Sequence, residues 1–173
     1  MYIVERIPLV YISDGKIVDD ERRVIEDWKK RMGRFGEIYI IDIDGVERNE
    51  PNLDLYQRIY RKKWIDSFPR CFEDVMDLVI SGADKVVIRR SFDGMDRVFR
   101  EVDVELYLSI SNETEIGMHN WSGYILFIDD GSLKIPEDLD NIYIVARHKD
   151  FIDLDMLDDR VKGIIYPLWE MEP

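Results

Sequence analysis

Four apolar runs in this chain end in charged pairs, and those pairs are where chemistry could sit. "IYIIDIDG" carries Asp42 and Asp44, "KVVIRR" ends in Arg89 and Arg90, "GYILFIDD" ends in Asp129 and Asp130, and "NIYIVARH" ends in Arg147 and His148. Residues two apart on a strand point the same way, so Asp42 and Asp44 are expected to serve one site. A carboxylate or an imidazole placed there could move protons, which makes Asp42, Asp130 and His148 the catalytic candidates. Guanidinium groups fork onto phosphate or carboxylate, so Arg89, Arg90 and Arg147 are candidates for holding an anion. Asp42, Asp129 and Asp130 offer the oxygen ligands a hard divalent cation wants. Acid pairs of this kind more often cap turns, and no metal site is assigned.

Other reactive side chains give weaker signals. His119 lies close to Trp121 and reads most simply as exposed. Cys71 precedes a helical pattern whose N-terminus could lower its pKa, but no histidine is near it in sequence. No serine triad, dinucleotide loop or zinc cluster is visible, and no cofactor is expected.

The elements that must position these groups are short. Eight apolar runs rich in Ile, Val and Tyr recur: "IVERIPLVYI", "EIYIIDI", "KKWID", "KVVIRR", "VELYLSI", "GYILFID", "NIYIVAR" and "VKGIIYPLW". They show little strict alternation, as strands buried on both faces do. Helical patterns separate the early ones. "DDERRVIEDWKKRMGRFG" spaces Val24, Trp28 and Met32 by four, "EPNLDLYQRIYRK" places Leu53, Tyr56 and Ile59 at steps of three, and "CFEDVMDLVISGADK" gathers Phe72, Val75, Met76 and Val79 on one face. In the second half only "KDFIDLDMLDDR" is convincingly helical. Alternating strands and helices predict parallel strands with covering helices, and eight of them predict a (βα)8 (TIM) barrel. At about 22 residues per unit the chain is shorter than the roughly 200 residues usual for that fold. A reduced TIM barrel is therefore expected, with helices shortened or missing in the second half.

An internal repeat adds to this. "DGVERNEPNLD" (44–54) aligns with "DGSLKIPEDLD" (130–140), and "CFEDVMDL" (71–78) with "DFIDLDML" (150–157). Two duplicated halves, about 1–100 and 101–173, would give both matches within one domain spanning 1–173. Chance similarity in an Asp-rich chain is the alternative.

Composition narrows the function classes. With 24 basic and 37 acidic residues the net charge is −13, which disfavours general attraction to nucleic acid or anionic lipid. A local basic patch would stand out against that background. The single cysteine excludes an internal disulfide, and no apolar stretch approaches the ~18 residues a membrane helix needs. A cytoplasmic, soluble protein is expected. Abundant Ile, Glu, Asp and Arg beside a single glutamine, Gln57, point to a hot-living source.

Taken together, several motifs resemble the duplicated barrels of histidine biosynthesis, the ribotide isomerase and its cyclase relative (HisA and HisF). "IP" at 7–8 with "DGK" at 14–16 is similar to that family's first strand and turn. "IYIIDIDG…NLDL" resembles its second strand and following helix, and "FEDVMDLVISGADKVVI" its third helix and fourth strand. "WSGYILFIDDGSL" resembles the fifth-loop tryptophan and the sixth strand with its turn. The resemblance implies catalytic aspartates ending strands 1 and 5, but those positions fall on Tyr11 and Ser109. Neither replaces a carboxylate near neutral pH. It also implies four glycine-rich phosphate loops, and these read instead as "DSFPR" (66–70), Arg89–Arg90, Ala146–His148 and Tyr166–Pro167. Trp121 matches a substrate-covering tryptophan, and Asp130 matches the acid of the sixth turn. Isomerase activity is expected to be lost.

Two readings of the mouth stay open. In one, Arg89, Arg90 and Arg147, with Asp44 and Trp121, hold a small anionic, phosphorylated metabolite. In the other, the arginines pair with Asp42, Asp44, Asp66 and Asp129 and close the old pocket with salt bridges. Tyr11, Ser13, Ser109, Ser111, Asn112 and Trp169 complete the expected mouth. Missing helices would expose Tyr107, Tyr124, Phe127 and Tyr166, and such a patch predicts a homodimer or a partner protein.

Overall fold

The computed structural model describes residues 3–110, 119–130 and 134–172. Nine strands form one sheet: β1 (Glu5–Ser13), β2 (Lys16–Val18), β3 (Glu37–Asp42), β4 (Lys62–Asp66), β5 (Lys85–Ile88), β6 (Glu105–Ser109), β7 (Gly123–Ile128), β8 (Ile142–Ala146) and β9 (Val161–Pro167). Each of the eight apolar runs supplies one barrel strand. The eight are parallel and in chain order, and β1 closes the barrel on β9 with Ile7 opposite Ile165. Closure leaves no barrel edge unpaired. The ninth strand, β2, is a short antiparallel partner of β1. Asp14 and Gly15, with φ of 50° and 73°, make the turn between them, as "DG" between apolar residues favours. Because β9 pairs with β1 only as far as Leu9, β2 takes the free flank from Tyr11 to Ser13.

Alternation assigns the two faces. Tyr39 and Ile41 of β3, Trp64 of β4, Val87 of β5, Tyr107 of β6, Tyr143 of β8 and Ile165 of β9 form the lumen core. Trp64 lies 4.4 Å from Tyr107 and 4.8 Å from Tyr143, centroid to centroid. Glycine makes room for those rings. A Cβ on Gly123 would come within 2.8 Å of the Tyr107 ring, and one on Gly163 within 2.7 Å of Tyr143. An eight-stranded barrel is just wide enough for side chains to fill, and here three aromatics do most of the filling.

The helices are few and early: α1 (Trp28–Met32), α2 (Ile43–Arg48), α3 (Leu53–Tyr56), α4 (Phe72–Ile80) and α5 (Met95–Glu101). Val75 and Leu78 of α4 and Val98 of α5 are buried on the outer face of the strands, each stabilising by about 1.5–3 kcal/mol. Two helical expectations fail. Only Trp28–Met32 of the first pattern is helical, and Val24 instead bridges Val18 and is exposed. "KDFIDLDMLDDR" forms two single 3-10 turns, Lys149–Phe151 and Leu154–Met156, with aspartates at alternate positions favouring local turns over a continuing helix.

The second half is covered all the same. Ile128, Ile142, Ile144, Val161, Ile164 and Tyr166 form an outer core over which Ile135, Phe151, Ile152 and Leu157 from the loops are laid. The expected exposure of four aromatics is therefore corrected. Tyr107 faces the lumen, Tyr166 is buried, and Tyr124 and Phe127 are partly buried. Among the described residues no helix is long and apolar enough to cross a membrane.

Candidate functional site: the barrel mouth

At the C-terminal ends of the strands the lumen opens into a cavity of about 350 Å³. Tyr11, Ile41, Phe127 and Val145 form its apolar wall, and Arg22, Arg89, Arg147, Asp20, Glu47 and Asp129 its charged one. The cavity floor is an ion pair. Arg89 donates from Nε and Nη2 to the two carboxylate oxygens of Asp66 at 2.7 and 3.0 Å, and the Tyr39 hydroxyl donates to the same carboxylate at 2.8 Å. The guanidinium also lies 5.0 Å from the centre of the Phe127 ring. Asp66 is fully buried. Burial disfavours a charged Arg89, but Asp66 more than offsets this and holds its pKa above the ordinary value.

The rim is looser. Arg22 meets Glu47 at 2.5 Å and Arg147 meets Asp20 at 3.3 Å, and each of these arginine side chains is about half exposed. Asp20 and Arg22 reach the mouth because the chain after β2 folds back, with the Arg23 carbonyl accepting from the Asp19 amide. Burial, and then Asp20, pushes the Tyr11 phenol up to about 12. Tyr11 therefore stays neutral in the physiological range, as does Ser109, which is buried at the end of β6. The two positions where the resemblance implies an acid and a base hold no carboxylate.

The other candidates lie elsewhere. Asp42 points away from the lumen, because Tyr39 and Ile41 take the inward positions of β3. Its carboxylate accepts from the Gly45 amide (3.1 Å), the Asn52 amide (2.7 Å), Asn52 Nδ2 (2.9 Å) and the Tyr56 hydroxyl (2.5 Å). It caps α2 and pins α3, and it holds no arginine. Asp44 is not on the strand but in the first turn of α2, where it accepts from the Asp14 amide, Arg48 and Asn52. Neither lines the cavity, and the arginine that Asp44 holds is Arg48 of its own helix rather than one of the mouth. Asp42 likewise cannot join Asp129 and Asp130 around a cation. Among the described residues no group of three or more His, Cys, Asp or Glu side chains is placed to hold a metal.

His148 stands between two carboxylates, Nδ1 at 3.2 Å from Glu170 and Nε2 at 3.9 Å from Asp20, with its ring edge-on to Phe151. That placement ties the loop after β8 to the C-terminal turn. Arg90 is exposed and does not line the cavity. Asp130 is exposed one residue beyond Asp129. Trp121 is misplaced by the resemblance. It precedes β7 at the opposite end of the barrel, buried edge-on against Phe99 of α5 at 4.9 Å. Trp169 does reach the mouth, 6.2 Å from Tyr11. Ser111 and Asn112 lie outside the described residues. Burial raises the pKa of Cys71, opposite to the expected direction, with the Asp74 and Glu73 carboxylates adding to it.

Two features were missed. "DSFPR" is a structural clamp. Arg70 donates to the carbonyls of Gly45 (3.1 Å) and Val46 (2.8 Å), and Ser67 approaches so closely that a Cβ on Gly45 would lie 2.8 Å from it. At the opposite end of the lumen, Lys85 is buried with its ammonium 2.7 Å from Glu37 and 4.3 Å from the Trp64 ring centre. A lysine opening the run "KVVIRR" and a glutamate opening the run "EIYIIDI" were the signal for it.

The chain matches no protein-family model and no curated protein.

Proposed function

We propose that this protein is a non-catalytic barrel that holds a small anionic, phosphorylated metabolite at its mouth. The observation that carries the reading is the convergence of three guanidinium groups, Arg22, Arg89 and Arg147, on one cavity of about 350 Å³. That volume lies in the range of small-molecule sites. Arg22 and Arg147 are held only by half-exposed ion pairs, which contribute about 0–1 kcal/mol. A phosphate can replace Glu47 and Asp20 with forked, charge-assisted bonds. Arg89, already committed to Asp66, supplies fixed positive charge beneath it. Tyr11 and Phe127 give a ligand an apolar face.

The same residues argue against isomerase chemistry. With Tyr11 pushed up to about 12, Ser109 at the end of β6 and Asp42 consumed by α2 and α3, the positions that the resemblance gives to acid and base hold no carboxylate. We further infer descent from the duplicated histidine-biosynthesis barrels, with the second half stripped of helices. The chain-order parallel barrel and the motif resemblances support this.

A second reading is favoured by the pairing itself. Each mouth arginine has a carboxylate within 3.3 Å, so the rim could serve only to hold the loops closed. A thermal-shift panel of inorganic phosphate and sugar phosphates separates the two. A ligand at ~100 times its dissociation constant adds roughly 2.7 kcal/mol, which at about 2–4 °C per kcal/mol for this size is a shift of about 5–11 °C. A shift abolished by Arg147→Ala supports the metabolite site, and a flat panel supports the closed rim.

A further inference from the structure

Against a net charge of −13, one surface is locally basic. At the N-terminal end of β4 a groove of about 960 Å³ is lined by Tyr60, Arg61, Lys62, Lys63 and Ile80, with Asp84 its only acid. Tyr60 and Ile80 are 83% and 73% exposed, and the exposed Arg58 is close by in the chain. Lys63 is buried in this groove. Its ammonium donates to the Arg61 carbonyl at a long 3.4 Å, and burial lowers its pKa. Asp84 offsets that burial only in part, so a further carboxylate would stabilise the buried ammonium.

A complement exists on the same molecule. The segment 150–159, "DFIDLDMLDD", contains five aspartates and no basic residue. Its 3-10 turn presents Leu154 and Met156, 50% and 60% exposed. Exposed apolar side chains among acids on one surface thus match exposed apolar side chains among bases on the other. They cannot meet within one chain, because β4 and β5 stand across the closed barrel from β8 and β9.

We propose that copies of this chain associate head to tail, the Asp153–Asp159 segment of one seated in the Tyr60–Ile80 groove of the next. Leu154 and Met156 lie against Tyr60 and Ile80, while Asp153 and Asp155 face Arg61, Lys62 and Lys63. Complementary charge sets the register and makes the contact salt-sensitive. Because the two surfaces lie on opposite sides, the contact is heterologous. It builds rings or open chains rather than a two-fold dimer closed by both contacts. This surface is remote from the mouth and stands whether or not the mouth binds a metabolite.

Sedimentation velocity over a concentration series tests it, with Tyr60→Asp removing the groove and Met156→Asp removing the segment. Both positions are exposed, and circular dichroism verifies that each variant folds. The wild type is expected to grow in mass with concentration at low salt and to dissociate at high salt. Each variant alone is expected to remain monomeric. An equimolar mixture retains one intact groove and one intact segment and is expected to give a capped pair of twice the monomer mass. A wild type monomeric at every concentration, a dimer that stops growing, or a mixture that stays monomeric would each overturn the proposal. So would a single-stranded oligonucleotide that binds the wild type, fails to bind Tyr60→Asp and promotes no association, since the groove would then serve another polyanion.

Discussion

Arg89 of the β5 end and Asp66 of the β4 end form a two-point ion pair, 2.7 and 3.0 Å, across neighbouring strands at the floor of the mouth. The rim pair Arg147–Asp20 is a single contact at 3.3 Å with its arginine half exposed. Depth separates a structural arginine from an available one. Arg89→Ala leaves a buried carboxylate without its counter-charge and should cost about 3–5 kcal/mol. Arg147→Ala should cost under about 1 kcal/mol. Urea unfolding of the two variants checks the contrast, and equal losses would contradict it.

The Asp42 network is expected to behave as framework. Tyr56→Phe removes one donor while leaving three, and should cost about 1 kcal/mol. Asp42→Ala strands the Gly45 and Asn52 backbone amides and leaves the Tyr56 hydroxyl without its carboxylate acceptor. At about 1–3 kcal/mol for each unsatisfied buried group, it should cost several times more. If Asp42→Ala unfolded no more readily than Tyr56→Phe, the capping role would be wrong.

Acid should loosen the same corner. Burial alone would raise the pKa of Asp44, but bonds from Asn52, the Asp14 amide and Arg48 outweigh it and hold the carboxyl below its ordinary value. A carboxyl depressed in the folded state contributes stability that is full above the unfolded value of ~3.9 and is lost as pH falls through the folded one. Asp44→Asn should therefore lower stability at neutral pH and flatten the acid limb. Urea midpoints over a pH series measure both.

Alkali should act through the tyrosines. Burial pushes Tyr11 and Tyr143 up to about 12, and raises Tyr39, Tyr56 and Tyr107 further. Their folded forms keep protons that the unfolded chain releases near 10, so stability should fall as pH rises from there toward 12. Ultraviolet titration should show these five ionising late, together with unfolding. Nine tyrosines ionising together near 10 while the protein stays folded would contradict the buried lumen.

The barrel was legible because each strand is a short run apolar on both faces, and eight such runs have one economical closed arrangement. The same double-sided apolarity hid which face was inward. "EIYIID" gives no alternation, so nothing in it showed that Tyr39 and Ile41, rather than Asp42, face the lumen. Asp42 and Asp44 also straddle a strand–helix junction, where the two-residue rule for strands stops applying. Arg89 and Arg147 were readable as strand-end cations. Asp20, Arg22 and Glu47 were not: Glu47 comes from the short α2, and Asp20 and Arg22 reach the mouth only through a fold-back that "DDERRVIEDW" disguises with helical spacing. The hairpin signal "SDGK" was present just before it. Trp121 was placed by resemblance alone, and it lies at the far end because it precedes the start of β7, where it packs against Phe99.

The central claim is that the mouth binds a small phosphorylated anion through its rim arginines. Isothermal titration with inorganic phosphate and ribose 5-phosphate, on the wild type and on Arg22→Ala and Arg147→Ala, tests it most directly. The account predicts saturable one-to-one binding in the wild type, at least tenfold weaker in each variant, with folding intact. No heat of binding in the wild type, or unchanged affinity in both variants, would contradict it and leave the arginines as ties between loops.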